Sequence, residues 1–372
     1  MNLYPRSEKM DILKKQINFV RREIKPDAII VADPGLFEML REYYPDAVLH
    51  MSVQANILNY RSVDFWRKQG AKRIILPREL TLKDIRDIHK HVPGIELEFF
   101  VHGAICMAYS GRCMLSNYMT GRDSNQGACS HSCRWKYKVL DEEGVKKREQ
   151  ELVLQTSRHL PELNGKNYYL EEEKRPGKFY GIEEDSNGTY FMNSKDNCLL
   201  PYLKDLVEAG ICSFKVEGRN KTEYYLATVA KVYKEAIEDM MKGKKFNEAL
   251  MEEIWKTANR GFIPGYLFGY PEDNDVFYET SAPQQDYKFV GMVTGRAAGG
   301  LKRDDLYEVS VRNRLERGQE IEVMTPAEQF VMKVEEMFDV GGGEVGVVHG
   351  GGGNRLLKLR RGLPVGGMIR MK

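Results

Sequence analysis

The sequence predicts an α/β protein, a (β/α) barrel incomplete at its start and followed by a small C-terminal β-barrel domain. Three observations carry this reading. From Ala28 to Met241, short apolar strands alternate with amphipathic helices. The early strands end in polar residues or turns, at Asp33-Pro34, Gln54-Ala55-Asn56, Arg78-Glu79 and His102-Gly103. Such endings suit a parallel sheet whose chemistry gathers at the strand C-termini. After Gly269 the rhythm changes to short strands separated by Gly, Asn and Pro turns.

The elements follow in order. Met10 to Ile24 has helical periodicity, with Leu13, Ile17, Val20 and Ile24 on one stripe. Ala28 to Asp33 is a short buried strand, broken by Pro34-Gly35, and a helix runs from Leu36 to Tyr44. A strand from Val48 precedes a helix containing Phe65 and Trp66. Arg73 to Glu79 is a third strand with its helix at Leu80 to His91, and Ile95 to Gly103 is a fourth. Thr189 to Asp196 and Ser213 to Arg219 read as two more, each followed by a helix, Leu200 to Ala209 and Glu223 to Met241. A polar insertion at about 138–188 lacks the βα rhythm and reads as a hairpin and a loop. The predicted domains are therefore residues 1–275, the partial barrel, and 280–372, the β domain. Six barrel-type strands fall short of the eight that closure needs. The expectation is a chain lacking N-terminal βα units, with exposed strand edges that a partner chain completes.

With 56 basic and 54 acidic residues, neither a strongly basic nucleic-acid binder nor an acidic tail is indicated, although a local basic groove remains compatible with RNA. No apolar run reaches the roughly 18–20 residues of a membrane span. The start, MNLYPRSEKMDILKKQ, has no apolar signal core, so the expected location is cytoplasmic, with no membrane partner.

Four of the six cysteines, Cys106, Cys113, Cys129 and Cys133, fall within 28 residues with spacing C-x6-C-x15-C-x3-C. A fifth, Cys198, follows the polar run Asn193 to Asn197. Clustered thiols in a reducing compartment are metal ligands or redox groups more often than disulfides. Zinc sites use short paired knuckles, a spacing met here by Cys129 and Cys133 alone. Iron–sulfur clusters tolerate more varied intervals, and the interleaved Gly103, Gly111, Gly121 and Gly127 let backbone N–H groups approach cluster sulfides. A 4Fe-4S cluster is the expectation, with Cys133 and Cys198 rivals for the fourth position. Cys212 reads as a packing cysteine.

The run Glu98-x-Phe100-x-x-Gly103-Ala104-Ile105-Cys106-x4-Gly111-x-Cys113-x-Leu115-Ser116 resembles the signature of the collagenase-like peptidase family. The resemblance continues at Asn125 to Cys129, Cys133-Arg134-Trp135-x-Tyr137, Asn193 to Asp196, Lys215 to Arg219 and Asn259 to Phe262. It implies a (β/α) barrel, often with an appended β domain. It also implies oxygen-independent hydroxylation with a four-iron cluster, in members that make 5-hydroxyuridine at the tRNA wobble position with prephenate as co-substrate. Carried over, it favours Cys106, Cys113, Cys129 and Cys198 as ligands, with Cys133 as a near neighbour. Relatives begin with further βα units, which this sequence lacks.

On that resemblance the expected catalytic residues are His102, Lys195, Glu217 and Arg219. Glu217 and His102 are placed to move protons, and Arg78, Arg134, Lys195 and Arg219 to hold the two carboxylates of prephenate. Trp135 and Tyr137 are expected at a base. Structural readings stand beside these: an ion pair for Glu217 and Arg219, a helix cap for Lys195-Asp196, a packed histidine for His102, and core packing for the two aromatics. Lys146 to Arg148 and Lys358 to Arg361 are basic spots that suit RNA phosphates or plain solvation. The functional expectation is a tRNA-modifying hydroxylase or a subunit of one. Its rivals are a peptidase, for which no Ser/His/Asp set or H-E-x-x-H helix stands out, and a cluster-bearing partner subunit without activity of its own.

Overall fold

The computed structural model describes residues 1–106, 108–120, 122, 129–131, 133, 168–171, 179–185, 188–190, 195–218, 221–269, 286–297 and 303–372. The chain divides into two compact units. One holds Met1–Glu217 with Arg260–Pro283, the other Gly218–Asn259 with Gln284–Lys372. The 218–259 segment thus groups with the C-terminal residues, a division that a linear boundary near 275–280 does not express.

In the first unit the expected βα units form, each started by local chemistry. Helix α1, Met10–Phe19, buries Leu13 and Ile17, and its last turn widens to a π-helix, Val20–Ile24. Strand β1, Ile29–Val31, leads to α2, Pro34–Tyr43, which begins where Asp33 accepts the Leu36 N–H at 2.8 Å. A carboxylate there satisfies an orphan helix donor, and Pro34 loses no bond in the first turn. Strand β2, Leu49–Met51, precedes α3, Tyr60–Lys68, capped by Asn59. Strand β3, Arg73–Leu76, precedes α4, Leu82–His91, which opens on a Thr81/Asp84 capping box. Strand β4, Glu96–Ala104, is the longest of the set and leads through Cys106 to the short α5, Leu115–Thr120.

The insertion carries a three-stranded antiparallel sheet: β5 (Tyr168–Glu171), β6 (Phe179–Asp185) and β7 (Gly188–Tyr190). This corrects the expected barrel strand from Thr189 to Asp196. Its first residues belong to the insertion's sheet, and the main sheet receives only β8, Asp196–Cys198. A turn and the helix α6, Leu203–Glu208, lead to β9, Ile211–Val216, and a last short strand is β10, Phe262–Ile263.

Strands β1, β2, β3, β4 and β9 run parallel in that spatial order, an arc of half a barrel. Strand β8 runs antiparallel to β4 and pairs only with its last residues, His102↔Cys198 to Ala104↔Asp196. At His102, β9 occupies one edge of β4 through Val216, so β8 takes the other, beyond the end of β3. Among the described residues β1 pairs with β2 alone and β9 with β4 alone.

In the second unit, helices α7, Glu223–Met241, and α8, Ala249–Trp255, accompany an antiparallel sheet. Its strands are β11 (Lys288–Arg296), β12 (Leu306–Val311), β14 (Glu320–Met324), β15 (Gln329–Lys333), β16 (Met337–Phe338), β18 (Asn354–Lys358) and β19 (Met368–Met371). Strands β13, Leu315–Glu316, and β17, Val347–Val348, pair separately. Val290, Val293, Tyr307, Val309, Ile321, Val323, Leu357 and Ile369 form its core. No helix among the described residues is long and apolar enough to cross a membrane.

Candidate functional site

Side chains alternate across a strand, and the main sheet uses its two faces differently. Leu49, Met51, Ile74, Leu76, Leu97, Phe99 and Val101 lie on one face and are buried. The other face mixes apolar Ile75 and Phe100 with a group of charged and polar side chains. On it Glu98, nearly buried on β4, accepts hydrogen bonds from Arg73 Nη1 of β3 at 3.0 Å, Ser213 Oγ of β9 at 3.0 Å and Lys215 Nζ of β9 at 2.8 Å. Burial alone would raise the Glu98 carboxyl, but the Lys215, Ser213 and Arg73 donors outweigh it and hold the group below the usual carboxylate range. Arg73 also bonds Glu96, and beside it burial lowers the His50 imidazole.

One step further along β4, Phe100 is flanked by two cations. The Arg78 guanidinium carbon lies 3.7 Å from its ring centroid and Lys215 Nζ 5.6 Å away. Next comes His102, fully buried, its ring 5.5 Å from that of Phe262. Glu217 N–H donates to the His102 carbonyl at 2.9 Å. Gly103 has φ +118, and a Cβ there would meet the Glu217 carbonyl oxygen at 2.7 Å and its side chain at 2.9 Å. Glycine is needed because Glu217 lies against that backbone.

Strand β8 closes the same end. Asn197 donates to the Phe100 carbonyl at 3.1 Å, and Cys198 sits opposite His102. The Lys195 stem lies over Gly261, and the Asp196 N–H donates to the Gly261 carbonyl at 2.9 Å. The helix-cap reading of Lys195-Asp196 is corrected: Asp196 is a buried strand residue, and Leu199 precedes the following turn. The fold therefore brings His102, Glu217, Arg78 and Cys198 to one end of β4, with Lys195 just before the flanking strand β8. Arg219, Arg134, Trp135 and Tyr137 lie outside the described residues, as does the basic spot Lys146 to Arg148. Sequence reasoning missed Glu98, Lys215, Arg73 and Ser213. A signal existed, since Glu96 and Glu98 alternate with apolar residues and Lys215 opens a quoted motif.

The six thiols differ in exposure. Cys106 is exposed, just past the end of β4; Cys113, Cys129 and Cys133 are half-buried; Cys198 is buried. The His131 N–H donates to Cys129 Sγ at 3.4 Å. The neighbouring Ser130 N–H donates to Ser116 Oγ at 2.9 Å, and the two serine hydroxyls lie 2.9 Å apart. These bonds tie the Cys129 segment to α5, which starts just after Cys113. Cys212 corrects its reading as a packing cysteine, because it is exposed on β9.

Among the described residues no three Cys, His, Asp or Glu side chains meet as a metal-holding group. The donor set itself is thiol-rich and fits thiolate ligation of a soft metal cluster. Pairing of β4 with β8 sets Cys198 opposite His102, and the Ser116–Ser130 contact joins α5 to the segment that holds Cys129.

A family profile described as peptidase family U32 matches residues 1–276, and that of the peptidase family U32 C-terminal domain matches 285–370. The chain belongs to peptidase family U32. Within the family it is 38% identical over 364 residues to "tRNA hydroxylation protein P" of Escherichia coli, covering 95% of this chain and 78% of that relative. It is 39% identical over 351 residues to the protein of the same name from Haemophilus influenzae, covering 91% and 75%. To "tRNA hydroxylation protein P1" of Bacillus subtilis it is 32% identical over 351 residues, covering 92% and 74%. The run that resembles the family signature starts on the face that carries Glu98 and Phe100, and continues past the end of β4 to Cys106.

Proposed function

We propose that this U32 protein is an RNA-modifying hydroxylase that forms 5-hydroxyuridine at the wobble position of tRNA. The supporting observation is the 38% identity, along 95% of the chain, to a protein named for tRNA hydroxylation. In this reading prephenate is the co-substrate and its carboxylates meet Arg78 and Lys215, which both bring positive charge to the Phe100 ring. Glu217 and His102, adjacent at Gly103, are the groups in reach to take or return a proton. Buried Asn197 and the ladder from Arg73 to Lys215 hold these strands in register.

Cys106, Cys113, Cys129 and Cys198 would hold a 4Fe-4S cluster, with Cys133 as the rival fourth ligand. Such a cluster supplies a redox centre or an iron site beside the reacting groups. The proposed partners are tRNA and a homologous subunit that pairs with the edges of β1 and β9, each of which has a single strand neighbour among the described residues.

Nucleoside mass spectrometry of tRNA from a strain lacking the gene and its paralogues tests the reaction. Loss of 5-hydroxyuridine, restored by this chain, is expected; unchanged 5-hydroxyuridine refutes the assignment. Anaerobic purification with iron and sulfide assays tests the cluster. Cys198→Ala is expected to lose bound iron and Cys133→Ala to keep it. A colourless protein carrying stoichiometric zinc would sink the cluster reading.

A further inference from the structure

The segment from Cys106 to Cys113 is held from two sides by residues with no assigned role. Glu79, just after β3, accepts the Ser110 backbone N–H at 2.7 Å and the Ser110 hydroxyl at 3.1 Å. Its second oxygen lies 3.3 Å from the same hydroxyl. Ser110 is buried and Glu79 half-buried, so water reaches this contact only in part. A hydrogen bond to an ionised acceptor is about twice as strong as a neutral one. On the other side Gly111, with φ +77, is pressed against the turn after β2. A Cβ on Gly111 would lie 2.7 Å from Gln54 Cα and 2.9 Å from Gln54 Cβ. That turn is itself anchored, since the Tyr4 hydroxyl donates to the Gln54 carbonyl. The Arg112 N–H donates to the Tyr109 carbonyl at 2.9 Å and closes the loop's own turn.

We propose that Glu79 is a positioning residue of the thiol loop. By clamping Ser110, with Gly111 seated on Gln54, it fixes the separation and direction of Cys106 and Cys113. The role rests on the proposed cluster, whose thiols bind more tightly when groups behind them orient them. Glu79 touches no thiol. It stands one bond network behind the ligands, where loss of an orienting group typically weakens metal binding about 10–100-fold.

Full-length Glu79→Ala, Glu79→Gln and Gly111→Ala proteins, prepared anaerobically and reconstituted with ferrous iron and sulfide, test this. Three quantities are compared with the parent: amide hydrogen exchange of peptides spanning residues 104–113 without metal, iron retention against a chelator, and the electron paramagnetic resonance spectrum after reduction. Glu79→Ala and Gly111→Ala should exchange faster in this loop alone, retain iron about 10-fold less well, and show an altered spectrum. Glu79→Gln keeps an acceptor oxygen at the same reach and should recover most of each property. Exchange unchanged in Glu79→Ala overturns the clamp. Faster exchange with the parent's iron retention and spectrum overturns the positioning role. If the parent itself takes up no iron and sulfide, the cluster reading fails and the positioning role with it, while the exchange data still report whether the clamp exists.

Discussion

Two charge networks, one in each unit, solve the burial of ions in opposite ways. In the C-terminal unit the cation is inside. Arg370 is fully buried on β19 and donates to Glu322 at 2.8 Å, Glu253 at 3.0 Å and the Tyr224 hydroxyl at 2.9 Å. The Tyr287 ring lies 5.2 Å from its guanidinium. In the N-terminal unit the acid is inside. Glu98 is 9% exposed as a side chain, while Arg73 and Lys215 are 26% and 29% exposed. A buried charge needs full pairing, and both networks supply it. The difference lies in what is left over. Arg370 spends its fork on fixed partners. Lys215 has three donors and, among the described residues, gives one to Glu98, while its ammonium faces Phe100. The closed network fits a structural role, and the open one fits a ligand-facing role.

The largest expected effect breaks the closed network. Arg370→Ala leaves two carboxylates and a tyrosine hydroxyl without their shared donor. Removing one partner of a buried ion pair costs about 3–5 kcal/mol, which should appear as a large drop in the urea midpoint of the full chain. Arg370→Met, which keeps most of the stem's packing, should lose less. A midpoint close to the parent's for Arg370→Ala would show that the network is not sealed.

Glu98→Gln acts on the open network. It keeps the shape and one acceptor but weakens the hold on Lys215. The expected stability loss is about 1–3 kcal/mol. Activity should fall further in proportion, by about 100-fold, because small misplacements of a binding group cost rate steeply. Hydroxylation assays alongside urea melts separate the two effects. Full activity in a destabilised Glu98→Gln protein would move this network into the structural class.

Much of this contrast is legible in the sequence and some is not. The alternation of Glu96, Leu97, Glu98 and Phe99 announces a strand with one polar face, and helix α7 begins and ends where its periodicity does. The partners of Glu98 are not legible, because Arg73 is 25 residues away and Lys215 is 117 away along the chain. Which of them meet depends on the register of three strands, fixed by packing rather than by any local motif. Strand β8 escaped for a related reason. Three residues that pair with the tip of β4 on one side and with the two residues of β10 on the other leave no periodic trace. The thiol-loop clamp joins Glu79 to Ser110 across 31 residues, and no spacing rule links them.

Acid should distinguish the closed network from its broken variant. Burial raises the Glu253 carboxyl, but the Arg370 and Lys256 hydrogen bonds override this and hold it at about 2, against an ordinary value of 4.5. Arg370 and Gln329 hold Glu322 lower too, against the opposing effect of its burial. A depressed carboxyl contributes stability above its unfolded value and loses it as pH falls through the folded one. The Glu253 contribution is therefore complete above pH 4.5 and fades toward pH 2. After allowance for solvent screening it is worth about 2 kcal/mol. The gap in urea midpoint between the parent and Arg370→Ala should narrow as pH falls through that window. A gap that stays constant to pH 3 would show that Glu253 does not depend on Arg370.

The smallest effect belongs to the basic run Lys358 to Arg361, which as sequence suits RNA phosphates. In the fold Lys358 lies 2.8 Å from Glu335 and 3.0 Å from Glu336. Arg360 Nη1 lies 2.9 Å from Glu328, and its guanidinium stands 5.0 Å from the Phe330 ring centroid. Both cations therefore have carboxylates at hand before any polyanion arrives, and a phosphate would have to displace them. Arg360 and Glu328 are 57% and 45% exposed, so water screens their pair and its worth is at most about 1 kcal/mol. Arg360→Ala should leave the urea midpoint within that margin. Affinity for tRNA should also stay within about 2-fold, and the slope of binding against salt should not change by the one unit expected of a lost phosphate contact. A slope smaller by about one would return Arg360 to the RNA-binding surface, and its pairing with Glu328 would then describe only the RNA-free protein.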